Sequence, residues 1–70
     1  MSDELYLDAS YALARRMIGE HPGVNLDSVT LKMIEAWVVA LPEFADDPAL
    51  VNDDLLAAIY QEWYQEVNPL

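Results

Sequence analysis

The strongest evidence for a helical fold is the stretch NDDLLAAIYQEW, residues 52–63, which combines a helix start with a buried helix face. Asn52 is a typical N-cap residue. Asp53 and Asp54 follow in the first turn, where free backbone N–H groups and the helix dipole favour negative charge by roughly 0.3–1 kcal/mol each. The apolar residues at helical spacing are Leu55, Leu56, Ile59 and Trp63. The pattern predicts a helix that ends at Asn68-Pro69.

Two further helices are predicted before this one. The first follows Asp8 as its N-cap and runs from Ala9 to about His21, where Pro22-Gly23 ends it. The second begins near Thr30 and reaches Leu41, before Pro42. Their apolar faces are formed by Leu13, Met17 and Ile18, and by Ile34, Trp37, Val38 and Leu41. For residues 23–29 the sequence leaves two alternatives: a loop, or one short extended piece.

Three short helices in 70 residues predict an all-α fold, a compact three-helix domain of the helix-turn-helix or winged-helix kind. The chain is too short for a second core, so residues 1–70 are expected to form one domain, with residues 1–7 as a loose N-terminal segment. Trp37 and Trp63 are expected in the core, because indoles are the largest apolar groups available to fill it.

Composition excludes several classes of chemistry. The chain has no cysteine, which rules out disulfides, zinc–thiolate sites and thiolate-bound clusters. Its single histidine, His21, lies at a helix end, where it can interact with the helix dipole. There is no glycine-rich phosphate loop and no serine nucleophile motif. We therefore expect a protein that is not an enzyme.

The net charge restricts the partners. Thirteen acidic and three basic residues give a formal charge of −10. Nucleic acids and anionic membranes repel such a chain, so neither is an expected partner. A basic protein surface or a cation is the natural complement. The sequence shows no signal peptide and no transmembrane run, which predicts a soluble, cytoplasmic protein.

Acidic residues are concentrated in residues 43–54, which we call the acidic segment. Its five acids are Glu43, Asp46, Asp47, Asp53 and Asp54. A calcium loop is excluded, because the segment lacks the alternating acids and the glycine that such a loop requires. Two interpretations of Asp46 and Asp47 stay open: a turn or Asx cap before Pro48, and a contact with a partner or an ion.

A set of residues along the chain has a characteristic spacing: Trp37, Leu41, Phe44, Asp46-Asp47-Pro48, Asn52, Asp53, Leu56, Ile59, Trp63 and Glu66. The specific part is the phenylalanine with the Asp-Asp-Pro step between two tryptophans. By this spacing the chain resembles, without a gap from Pro22 to Glu66, the IscX family, the small acidic accessory proteins of bacterial iron–sulfur cluster assembly. The resemblance covers roughly two thirds of the chain.

The resemblance implies a domain similar to a winged helix that does not bind DNA. It further implies an adaptor that binds a cysteine desulfurase and weakly binds ferrous iron, Fe(II), through surface carboxylates. For this chain we assign partner binding to the five acids of the acidic segment, and weak metal binding to Asp46 and Asp47; a monomer is favoured. Where the family has acids on the first helix, this chain has Ala12, Arg15 and Gly19. No metal ligand is therefore assigned there.

Two alternatives remain. The first is a winged-helix-like, acidic interaction module for a different basic partner, without an iron function. Arg15 and Arg16 suggest it, because they interrupt the acidic face expected on the first helix. The second is a divalent-metal buffer with no protein partner.

Overall fold

The computed structural model of the chain describes residues 4–68. Three α-helices form the domain: α1 is Ser10–Glu20, α2 is Leu31–Val39 and α3 is Asp53–Val67. Two single-turn 3₁₀ helices, Leu26–Ser28 and Pro48–Leu50, precede α2 and α3. Within residues 4–68 the only β-type pairing is an isolated parallel bridge between Leu5 and Phe44. The all-α prediction is confirmed, while the likeness to a winged helix stays a prediction.

Helix α3 is the central element, because it packs against both other helices and most extensively against α1. The core between them consists of apolar side chains from all three helices and the segments beside them. Its buried members are Leu7, Leu13, Ala14, Met17, Leu26, Val29, Ile34, Val38, Leu41, Leu56, Ile59 and Trp63. In the part of the chain that the structure describes, no helix is long and apolar enough to cross a membrane.

The starts of α2 and α3 follow the predicted capping chemistry. Asn52 Oδ1 accepts a hydrogen bond from the Leu55 N–H at 3.0 Å, which caps α3 as predicted. Thr30 Oγ1 accepts from the Met33 N–H at 3.2 Å and caps α2. Each side-chain oxygen satisfies one of the N–H groups that a helix leaves without an internal partner.

The predicted cap of α1 is wrong. The N-cap residue is Ala9, and no side chain caps the helix. Asp8 lies one residue too early, because a turn closed by the Ala9 N–H on the Tyr6 carbonyl, at 3.0 Å, occupies residues 6–9. Asp8 is left exposed instead.

The two tryptophans differ in burial. Trp63 is 2% exposed and confirms the core prediction. Trp37 is only partly buried; its ring centroid lies 6.1 Å from that of Trp63. The ring of His21 stacks on Trp37 with centroids 4.0 Å apart. His21 therefore packs against an aromatic ring, in addition to its position at the end of α1.

The N-terminal prediction is partly wrong. Residues 1–3 lie outside the described residues, but residues 5–7 do not form a loose segment. The Leu5 N–H donates to the Glu43 carbonyl at 2.8 Å, and the Ala45 N–H donates to the Leu5 carbonyl at 2.9 Å. Leu7 is 3% exposed in the core. Leu7 buries apolar area in the core and Leu5 packs against the core, which stabilises the position of this segment.

Residues 23–29, for which the sequence left a loop and a short extended piece as alternatives, form a turn followed by a 3₁₀ helix. Gly23 has φ +76°, a left-handed conformation that favours glycine after a helix end. Asn25 then accepts a hydrogen bond from the Asp27 N–H at 3.0 Å and caps Leu26–Ser28. Leu26 enters the core, and its carbonyl accepts from the Tyr60 hydroxyl at 3.0 Å.

Replacing the cap of α3 should measurably destabilise the domain. We expect Asn52→Ala to lower the free energy of unfolding by about 1 kcal/mol, because the Leu55 N–H loses its acceptor. Urea denaturation followed by circular dichroism measures the change. Asn52→Ser keeps a capping oxygen and should lose much less; equal losses in the two variants would contradict the capping role.

Candidate docking site in the acidic segment

Asp47 shapes the entry into α3. Its Oδ1 accepts a hydrogen bond from the Ala49 N–H at 2.9 Å, and Pro48 occupies the first position of the 3₁₀ helix that follows. This is the Asx-cap interpretation of the Asp-Asp-Pro step, and it is confirmed. Asp47 remains exposed while it caps, so its charge faces solvent.

Asp46 holds two distant segments together. Its Oδ2 accepts a hydrogen bond from the Leu7 N–H at 3.1 Å, and its Oδ1 accepts from the Asp47 N–H at 3.1 Å. The first bond joins residues 39 positions apart in sequence. Asp46 is therefore a structural clamp for the N-terminal segment, although its side chain stays partly accessible.

Glu43 is distinguished from the other four acids by an ion pair. It pairs with Arg16, which also binds Glu20 at 3.1 Å. The hydrogen bond to Glu43, followed by that to Glu20, raises the pKa of Arg16 above its usual value. Because Arg16 compensates the charge of Glu43 inside the molecule, Glu43 has less charge to offer a partner than the sequence suggested.

Asp53 and Asp54 lie in the first turn of α3, and both are exposed. The helix dipole and the free N–H groups at this end stabilise their negative charge. Asp46, Asp47, Asp53 and Asp54 take part in no ion pair with another residue of the described chain. These four carboxylates are therefore uncompensated by any cation of the domain's described part.

A groove lies between the acidic segment and residues 6–8. Its volume is about 440 Å³, and its lining residues are Tyr6, Leu7, Asp8, Asp46, Leu50 and Leu55. Asp46 and Leu55, the residue that follows Asp54, thus border the same groove. Sequence reasoning missed this groove because it treated residues 1–7 as loose; the apolar run of Leu5, Tyr6 and Leu7 was the available signal.

Tyr6 lies at the edge of this groove. Its hydroxyl donates a hydrogen bond of 2.6 Å to Glu4 Oε2. That hydrogen bond raises the pKa of Tyr6, and the negative charges of Glu4 and Asp46 add to the effect. The influence of Asp46 on Tyr6 agrees with their common position at the groove.

The arginines of α1 face their own domain. Arg15 forms an ion pair with Glu66 of α3 at 3.4 Å. This bond raises the pKa of Arg15, with a further contribution from Tyr11. Arg15 and Arg16 each pair with a carboxylate of the same domain, and the Arg15 side chain stays 64% exposed.

The residues present do not fit a preformed iron site. Among residues 4–68, no three histidine or carboxylate side chains converge to hold a metal ion. Both carboxylate oxygens of Asp46 and one of Asp47 already accept backbone hydrogen bonds. Iron would have to share these oxygens with the backbone.

The clamp role of Asp46 can be tested by hydrogen exchange. We expect Asp46→Ala to speed exchange of the Leu7 amide at least tenfold, and to cost about 1–2 kcal/mol of unfolding free energy, because two N–H groups lose their acceptor. Asp47→Ala removes a neighbouring carboxylate without touching Leu7, and should leave that amide unchanged. Similar exchange in both variants would show that Asp46 is not a clamp.

Comparison with known proteins agrees with the sequence resemblance. The family model described as iron–sulphur cluster assembly matches residues 7–68, which include all three helices and the acidic segment. A protein of Pseudomonas aeruginosa that is described as uncharacterized is similar to this chain, with 40% identity over 45 residues. The aligned part covers 64% of this chain and 68% of the relative. The chain belongs to the IscX family of iron–sulfur cluster assembly proteins.

Proposed function

We propose that this protein, whose role lies in iron–sulfur cluster assembly, is a non-catalytic adaptor that docks on a cysteine desulfurase. The docking surface is the exposed part of the acidic segment, formed by Asp47, Asp53 and Asp54 with Asp46 beside them. The family membership supports a role in iron–sulfur cluster assembly, and the resemblance implies that the partner is a cysteine desulfurase. The carboxylates of this surface recognise the partner through attraction to its basic residues.

One observation carries the proposal. The four acids that flank the Pro48–Leu50 turn have no compensating cation within residues 4–68: Asp46, Asp47, Asp53 and Asp54. Holding like charges close together on a small domain is unfavourable, and capping and the helix dipole offset only part of that cost. A basic partner surface relieves the repulsion, and it also accelerates encounter by electrostatic steering.

Glu43 contributes least to the proposed surface. Its pairing with Arg16 means that a partner would have to displace an existing ion pair to use it. Asp46 contributes its charge, but its hydrogen bonds also hold Leu7 in place. Substitutions at Asp46 therefore mix folding with binding, and Asp53 and Asp54 are the cleaner positions for testing recognition.

The direct test is calorimetric titration of the chain into a purified cysteine desulfurase at several salt concentrations. We expect binding that weakens steeply as salt rises, because the Debye length falls from about 10 Å at 0.1 M to about 3 Å at 1 M. Asp53→Asn with Asp54→Asn should weaken binding and flatten the salt dependence. Absence of binding at low salt would refute the desulfurase as partner and favour a different basic protein.

Weak ferrous binding remains a separate proposal, assigned to Asp46 and Asp47. Oxygen ligands suit a hard or borderline divalent ion, but two carboxylates that already accept hydrogen bonds give little affinity. Anoxic titration with ferrous iron, followed by backbone NMR, should broaden the amide signals of Asp46, Asp47 and Ala49 first. Broadening that begins at another carboxylate cluster, or none at millimolar iron, would remove these residues as ligands.

A further inference from the structure

The groove beside the acidic segment combines an apolar lining with acidic edges. Four of its six lining residues are apolar or aromatic: Tyr6, Leu7, Leu50 and Leu55. The other two are Asp8 and Asp46, and no basic side chain of the described residues lines it. An apolar depression bordered by carboxylates has the chemistry to hold an apolar side chain that has cationic neighbours.

The exposure of two large residues shows that this lining faces solvent. Leu50 is 57% exposed and Tyr6 is 45% exposed. Leu50 sits at the end of the short turn that Asp47 caps, and Leu7 is held at the floor by Asp46. The acids of the Asp-Asp-Pro step therefore help to position Leu7 and the turn that carries Leu50, as well as providing charge.

The charge of the chain limits what can occupy the groove. A second copy would bring another formal charge of −10 to an already acidic edge, which opposes self-association through this face. The cleft formed by Val24, Leu26, Tyr64 and Val67 is a weaker candidate, because Asn25, Asp27 and Asn68 make its lining more polar. The groove at Leu50 brings two carboxylates that form no ion pair within residues 4–68, Asp8 and Asp46, to a mainly apolar lining.

We propose that this groove binds a segment of the partner protein that carries an aliphatic or aromatic side chain flanked by arginine or lysine. The apolar side chain packs between Leu50, Tyr6 and Leu55, while the flanking cations meet Asp8 and Asp46. This inference rests on the proposed function for the identity of the partner, but the recognition chemistry of the groove can be tested without it. It adds an apolar, salt-resistant contact to an electrostatic docking face.

The first experiment uses the isotope-labelled full chain and two synthetic peptides, Lys-Arg-Leu-Arg-Lys and the matched Lys-Arg-Ser-Arg-Lys. We expect the leucine peptide to shift the amide signals of Tyr6, Leu7, Leu50 and Leu55, and to bind roughly fivefold more tightly than the serine peptide. Leu50→Ala should abolish that difference. Equal affinity for both peptides, or shifts centred on Val24 and Tyr64, would overturn the proposal.

The second experiment measures binding of the full chain to the desulfurase. Leu50→Ala should weaken it about fivefold at low and high salt alike, whereas Val39→Ala, which trims an exposed apolar residue outside the groove, should leave it unchanged. Circular dichroism checks that each variant is folded. If the desulfurase binds but Leu50→Ala has no effect, the groove proposal fails and the adaptor function stands. If only the leucine peptide binds in the groove, the groove stands and the partner is a different protein.

Discussion

Replacing Trp63 with alanine should remove most of the domain's stability and leave a large part of the protein unfolded at room temperature. Trp63 is 2% exposed, and it lies on α3, the helix that packs against both α1 and α2. Truncating a fully buried tryptophan costs about 3–5 kcal/mol, because apolar contacts are lost and a cavity remains. A domain of this size has a total stability of only about 3–5 kcal/mol. Urea titration followed by circular dichroism, together with the thermal midpoint, measures the loss.

Tyr64→Ala provides the matched control for Trp63. Tyr64 is the next residue of the same helix and is 45% exposed, so its truncation removes aromatic surface without opening the core. We expect a loss of about 1 kcal/mol or less. A Trp63→Ala variant as stable as Tyr64→Ala would show that α3 does not organise the core as the structure describes.

Reversing the charges at the start of α3 should have the largest effect on binding. We expect Asp53→Lys with Asp54→Lys to weaken desulfurase binding at least about a hundredfold, or about 2.7 kcal/mol, because two attractive charges become repulsive. The same change opposes the helix dipole and should lower stability by about 1–2 kcal/mol. Binding is therefore measured by calorimetry at a temperature where circular dichroism shows the variant to be folded.

Asp27→Lys with Glu35→Lys makes the same change in net charge elsewhere. Asp27 borders Tyr64 and Val67, at the opposite end of α3 from Asp53, a distance of about 20 Å along the helix. Glu35 lies on α2, outside the groove. We expect this control to weaken binding less than tenfold. If both pairs weaken binding equally, the attraction depends on total charge and the acidic segment is not a localised docking face.

Much of the fold could be predicted because its signals are local. Residues 52–63 contain all the local signals for α3: the Asn52 cap, the acidic first turn and the apolar spacing. Each of these signals is confirmed. The cap of α1 could not be placed from the sequence, because Asp8 is a good capping residue that lies one position away from Ala9. What displaced it is a turn over residues 6–9, which depends on where the N-terminal segment packs.

The candidate site depended on contacts between distant residues, and these were harder to predict. The positions of the acids were visible, and so was the Asp47 cap, because both are local features. The pairing of Glu43 with Arg16, and the bond from the Leu7 N–H to Asp46, join residues 27 and 39 positions apart. The spacing of apolar residues does not report such contacts. The groove, and the ion pair that compensates the charge of Glu43, are therefore visible only in the structure.

The most direct test of the central claim is backbone hydrogen exchange of the full chain, with and without the desulfurase. The claim is that the acidic segment and the groove beside it form the docking face. We expect binding to slow exchange at the amides of residues 46–55 other than Pro48 and at those of Tyr6 to Asp8, and to leave the exposed face of α1 unchanged. Protection confined to α1 or to the Val24–Tyr64 cleft, with residues 46–55 unaffected in a saturated complex, would contradict the claim.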